Sequence, residues 1–177
     1  MSEPMIDFVP YFKGFRKRTD RLVPLIPPDR IEWRPEAGAM SFGDVLRHIA
    51  GTERWMWAEN VAGRPARFPG HDPSLAPGYE ATCAYFARLH QEALAIFESL
   101  TPEDYLRRVE TPGGAPLAAW KWLRAMIEHE AHHRGQLYLM LRLIGVPTPP
   151  IFGLTAEQVR ERSAGLGETA AEPKTPA

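Results

Sequence analysis

With 177 residues the chain can bury one full core without covalent staples. Its one cysteine, Cys83, excludes an internal disulfide framework or a thiolate cluster and points to a reducing, cytoplasmic setting. A formal net charge of −1, with both signs interspersed, argues against a nucleic-acid partner. The absence of both a leader pattern and a run of about eighteen apolar residues argues against secretion and membrane spanning.

In chain order, the first predicted helix runs from about Met5 to Ile26, tolerates Pro10 in its first turns and stops at Pro27-Pro28. Its cluster Arg16, Lys17, Arg18 and Arg21 reads as a solvated face. A loop, Asp29 to Met40, carries Trp33-Arg34-Pro35. Ser41 with Asp44 three residues later is a capping signal that opens a second helix, which contains His48 and runs to about Val61. The Gly- and Pro-rich stretch 63–77 is long enough to cross a bundle end.

A third helix spans about Gly78 to Leu100, and a fourth opens with Pro116 near its first position and runs to Ile144. No segment alternates with period two, so no strand is predicted. Four long helices define an all-α four-helix bundle with a crossover between helices two and three. Thr155 and Gln158 cap one short C-terminal helix. The domain is expected to cover 1–163, with a disordered tail over 164–177. Residues 137–144 are apolar nearly all round, so Ile151, Phe152 and Leu154 of the tail, together with a second subunit, are expected to cover them. That implies a homodimer.

The chemistry concentrates in the fourth helix. Trp122, Met126, His129, His133, Gln136 and Met140 share one face, and two imidazoles four residues apart can bind one metal ion from a single helix. Imidazole suits zinc, nickel, copper or iron, and a third protein ligand still leaves an open position. His48, on the stripe with Asp44, Thr52 and Trp55, is one source of that ligand. His90, on the stripe with Cys83, Phe86, Ala93 and Phe97, is the other, and position alone leaves both open. His71 and His132 read as surface or supporting residues, and Cys83 as a small core residue.

Two further patterns compete. His129-Glu130-Ala131-His132-His133 also spells the zincin motif, with Glu130 as the base that activates water, although Gln136 and Leu139 stand where the metzincin extension needs Gly and His. Glu130 and His133 also form one Glu-x-x-His pair of a di-iron bundle, but helix two supplies no second pair.

The run Ser41 to Ala50 followed by Glu53, the segment through His129, His133, Arg134, Gly135 and Gln136, and Trp33-Arg34-Pro35 together resemble the DinB-like helix-bundle superfamily, which includes metal-dependent thiol transferases. The resemblance implies an up-down-down-up bundle, a dimer, and a site built by His48, His129 and His133 holding one divalent ion, zinc or nickel. It selects His48 over His90.

On this reading the protein is a thiol-dependent S-transferase that joins a low-molecular-weight thiol to a small electrophile. Asp44, Thr52 and Glu130 are expected to orient the imidazoles, Gln136 to contact a ligand, and the Trp33 loop to frame the mouth. Trp55 and Trp122 are expected deeper, as an apolar floor or plain core. The alternatives are a non-catalytic metal-binding stress-response protein and a zincin-type hydrolase.

Overall fold

The structure is a computed structural model that describes residues 7–169. By internal contacts the chain divides into two units, residues 1–146 and 147–177. In the first, α1 (Phe8–Asp20), α2 (Phe42–Thr52), α4 (Gly78–Glu98) and α6 (Ala119–Leu143) are the long elements. A six-residue π-helical segment, Glu53–Ala58, continues α2 without a break into α3 (Glu59–Val61). Short α5 (Pro102–Leu106) and a hairpin of β1 (Arg108–Glu110) and β2 (Pro116–Ala118) precede α6.

Two apolar clusters reveal the helix directions. One gathers Phe12 and Phe15 of α1, Trp57 and Val61, Ala93 and Phe97 of α4, and Leu123 and Met126 of α6. The other gathers Leu22 and Ile26 just past α1, Phe42 to Ala50 of α2, Phe86 and Leu89 of α4, and Leu137 to Leu141 of α6. α1 and α6 therefore run from the first cluster to the second, while α2 and α4 run back. The bundle is up-down-down-up. Two helices in sequence can run parallel only if the link between them spans the bundle, and residues 62–77 provide that crossover.

The Ser41 cap forms as the sequence predicts: Ser41 Oγ accepts the Asp44 N–H at 3.0 Å, and an Asp44 oxygen accepts the Ser41 N–H at 2.9 Å. Such a cap contributes about 1 kcal/mol by satisfying amide groups that the first helical turn leaves unpaired. In the second unit Gln158 Oε1 likewise accepts the Thr155 N–H at 2.9 Å and opens α7 (Ala156–Thr169).

Four expectations need correction. α1 ends at Asp20 and two 3-10 turns, Val23–Leu25 and Pro28–Arg30, replace its predicted end, because Pro24 and Pro28 each lack the amide hydrogen a continued helix requires. Its predicted start at Met5 lies outside the described residues. Pro116 is not a helix opener but the first residue of β2, paired opposite Glu110. The hairpin turns through Gly114 in the left-handed region, φ 77°, and strands of three residues are too short to show a period of two. Arg16 is not solvated: it is 1% exposed, inside the bundle. Of the tail expected to be disordered, residues 170–177 lie outside the described residues.

Candidate metal centre

Where the two apolar clusters meet, all four helices contribute polar side chains. On one side, His48 of α2 faces His129 and His133 of α6. His48 Nε2 lies 2.9 Å from His129 Nε2, and His133 Nε2 lies 3.1 Å from the same atom. The three ligand atoms fall within 4.8 Å of one another. Three nitrogens about 2.0–2.1 Å from a tetrahedral ion stand about 3.3–3.4 Å apart, and the two separations at His129 lie within about half an ångström of that.

Proton placement agrees with this arrangement. His133 Nδ1–H donates to Gln136 Oε1 at 2.7 Å, which leaves the lone pair of Nε2 turned toward the other two rings. Gln136 is held in turn by His132, since its amide nitrogen donates to His132 Nε2 at 3.2 Å. Burial first, then the imidazoles of His133 and His48, brings His129 down to about 3. Burial, then His133 and His71, brings His48 down to about 4. Burial also lowers His133, against the opposing Gln136 hydrogen bond. Three neutral rings with nitrogens converging on one point form a donor set for a cation, because one hydrogen on His129 Nε2 cannot serve both neighbours.

The flanks of the triad include two residues the sequence reading passed over, Trp57 and Phe68. Trp57 packs on His129 with ring centres 4.8 Å apart and on Trp122 at 5.3 Å. The expected Trp55 instead stacks outside between the guanidinium groups of Arg54 and Arg67, 4.1 and 4.2 Å from its ring centre. The cause is the π segment, whose wider turn lags a regular helix by about one residue's rotation and so swings Trp57 toward α6. From the crossover, Phe68 and His71 stand 5.3 and 5.9 Å from the His48 ring.

The proposed supporting residues divide. Gln136 orients His133. Asp44 is taken up by Ser41, by Arg47 at 2.9 Å and by Arg34 at 3.4 Å, and orients no ring. Thr52 Oγ1 donates to the His48 backbone carbonyl at 2.7 Å, not to its imidazole. Trp33 packs on Phe42, ring centres 5.7 Å apart. Glu130 points away from the triad: it accepts from Thr19 Oγ1 at 2.6 Å and pairs with Arg16 at 3.0 Å.

That second polar cluster is closed on itself except at Arg16, whose Nε and Nη1 are buried without a hydrogen-bond partner. Arg16 also pairs with Glu53, whose other oxygen accepts from His90 Nδ1 at 2.8 Å. His90 is thus a structural residue, and the triad takes His48. Burial opposes the charge on Arg16, yet Glu130 and Glu53 outweigh it and hold the guanidinium above its ordinary pKa. Glu130 is pushed up by burial, against the pull of Arg16.

Arg47, fully buried, ties the surrounding loops together. It donates to Glu32 at 2.9 and 3.0 Å, Asp44 at 2.9 Å, Thr82 at 3.1 Å and the carbonyls of His71 and Ala76 at 2.8 and 3.1 Å. Gly43 makes room for it, since a Cβ there would stand 2.8 Å from the guanidinium. The signal available in the sequence was an arginine on the inner side of an amphipathic helix, next to His48.

An up-down-down-up bundle with three histidines on its second and last long helices defines a class of candidate metal-binding proteins. The family model described as the DinB superfamily matches residues 11–137, and the chain belongs to that superfamily. It is 26% identical over 148 residues to the uncharacterized protein YjoA of Bacillus subtilis (strain 168), covering 81% of this chain and 93% of YjoA. The crystal structure of YjoA, a DinB-like protein, superposes with a TM-score of 0.64 at 22% identity over 82% of this chain and 96% of that one. A DinB-like protein from Bacillus cereus ATCC 10987 gives 0.70 at 16% identity, covering 81% and 94%. YfiT from Bacillus subtilis, described as a probable metal-dependent hydrolase with an unusual four-helix bundle topology, gives 0.62 at 13% identity, covering 83% and 94%. These likenesses establish the fold. Among the described residues, no helix is long and apolar enough to cross a membrane.

Proposed function

We propose that the protein is a cytoplasmic, metal-dependent enzyme that transfers a low-molecular-weight thiol to a small electrophile, using one divalent ion held by His48, His129 and His133. Zinc and nickel both suit three imidazoles. A divalent ion there would supply Lewis acidity, lowering the pKa of a thiol or water placed beside it. Gln136 fixes the tautomer of His133, the Trp57 ring limits movement of His129, and the crossover loop narrows access of water to His48.

The observation that carries thiol transfer over hydrolysis is the position of Glu130. Water attack is helped by a nearby carboxylate that takes its proton, whereas a thiol that has already lost its proton needs no such base. Glu130, the carboxylate nearest in sequence, is engaged by Arg16 and Thr19 on the other side of α6. The hydrolase description of YfiT supports the competing reading, in which the same ion activates water.

The test assays wild type and Glu130→Gln against a thiol-plus-electrophile panel and a peptide and ester panel, with and without chelator. Chelator-sensitive thiol transfer that persists in Glu130→Gln supports the proposal. Chelator-sensitive hydrolysis lost in Glu130→Gln replaces it with the zincin reading. Absence of both activities, with a melting temperature that rises on metal addition, leaves a non-catalytic metal-binding stress protein.

A further inference from the structure

The crossover loop does more than connect two helices, because residues 67–71 are fixed to α2 and its continuation at several points. The Arg67 N–H donates to the Trp55 carbonyl at 3.0 Å, and the Arg67 guanidinium covers the Trp55 ring. Pro69 lies so close to Gly51 that a Cβ there would come within 3.1 Å of it. The His71 carbonyl accepts from buried Arg47 at 2.8 Å. Between these anchors the Phe68 ring meets the His48 ring edge-on at 81°, yet remains 49% exposed.

The exposed half of the Phe68 ring lies beside His48, where a ligand at the site could cover it. The loop's polar member points the same way. His71 packs on both His48 and Phe68, and its Nδ1 is buried without a hydrogen-bond partner. A buried, unpaired ring nitrogen is costly unless a ligand or water completes it.

We infer that Phe68 and His71 form a preorganised recognition wall beside the metal site, selecting ligands that carry an aromatic body behind the group presented to the metal. This rests on the metal-dependent reading above. It names the substrate class more narrowly: an aromatic or similarly flat apolar compound bearing a thiol or carboxylate donor. The anchors mean that little ordering remains to be done when such a body lands on Phe68, so its contact area converts to affinity with small loss.

Cobalt(II)-loaded protein provides a readout independent of turnover, since ligand entry changes the visible absorption of the ion. Dissociation constants are measured for two matched pairs, benzyl mercaptan against ethanethiol and benzoate against acetate, in wild type, Phe68→Ala and Phe68→Tyr. Wild type should prefer the aromatic member by about tenfold, Phe68→Tyr should keep that preference, and Phe68→Ala should reduce it to within about threefold at unchanged cobalt content.

An unchanged ratio in Phe68→Ala, or no aromatic preference in wild type, overturns the wall. If carboxylates alter the cobalt spectrum and thiols do not, thiol transfer fails while the carboxylate pair still decides the wall. If no probe alters the spectrum of stoichiometrically loaded protein, both readings fall.

Discussion

His129 and Glu130 are neighbours in the chain but belong to opposite kinds of polar cluster. Glu130 lies in a closed layer with Arg16, Glu53, His90 and Thr19, where charges and donors from all four long helices meet one another. His129 lies in an open cluster whose three nitrogens converge without satisfying one another. One layer pairs its carboxylates with groups of the protein, and the other presents a donor set that one cation could share. The difference follows from one residue's rotation on α6, about 100°, which turns one side chain to α1 and the next to α2.

The largest expected effect falls on the open cluster. His133→Ala should abolish stoichiometric metal by elemental analysis while His90→Ala retains it, and full metal in His133→Ala would end the three-histidine site. In the closed layer the damage should appear in stability. Removing Arg16 strands two buried carboxylates, so Arg16→Ala should cost about 3–5 kcal/mol in denaturant unfolding of the metal-free protein, with metal content per folded molecule unchanged. Loss of metal at unaltered stability would erase the distinction.

A smaller effect is expected at the tautomer support. Gln136→Ala should weaken metal affinity by about 10–100-fold in a chelator competition, because His133 Nδ1–H loses its acceptor. The smallest contrast is with pH. Because His48, His129 and His133 titrate lower in the fold than when unfolded, the unfolded chain binds more protons below the ordinary histidine pKa of about 6.5. Their contribution is present above that value and is lost as pH falls toward about 4. The melting temperature of metal-free protein should therefore decline across this window, and His48→Gln with His129→Gln should flatten the decline.

The sequence read well wherever one regular period carried the information. The spacing of His129 and His133, the Ser41 cap and the crossover length follow from regular helix geometry, and they give the bundle and two of the three histidines. His48 required the family resemblance, because His90 occupies an equally plausible stripe, and only the Glu53 contact shows what His90 does. The misses have one origin. Arg16 and Arg47 look like surface cations until their buried partners are brought in from other elements, and Phe68 belongs to a loop whose path no periodicity describes. A regular helix extended through the π-helical segment brings Trp55, and not Trp57, to the His48 face.

That segment lets one rod meet several neighbours. His48 faces α6, Glu53 meets Arg16 of α1 and His90 of α4, and Trp57 returns to His129 of α6 nine residues after His48. A regular helix comes back to the same azimuth after about seven or eleven residues, so nine falls on the far side. The wide turn acts as a single-residue insertion that reduces this mismatch by about 100° while keeping the helix continuous. Straightening 53–58 into a regular helix without removing a residue would turn Trp57 to the far side of the rod and cost the triad its aromatic brace. The metal centre and the structural core are thus kept in step by the length of one turn.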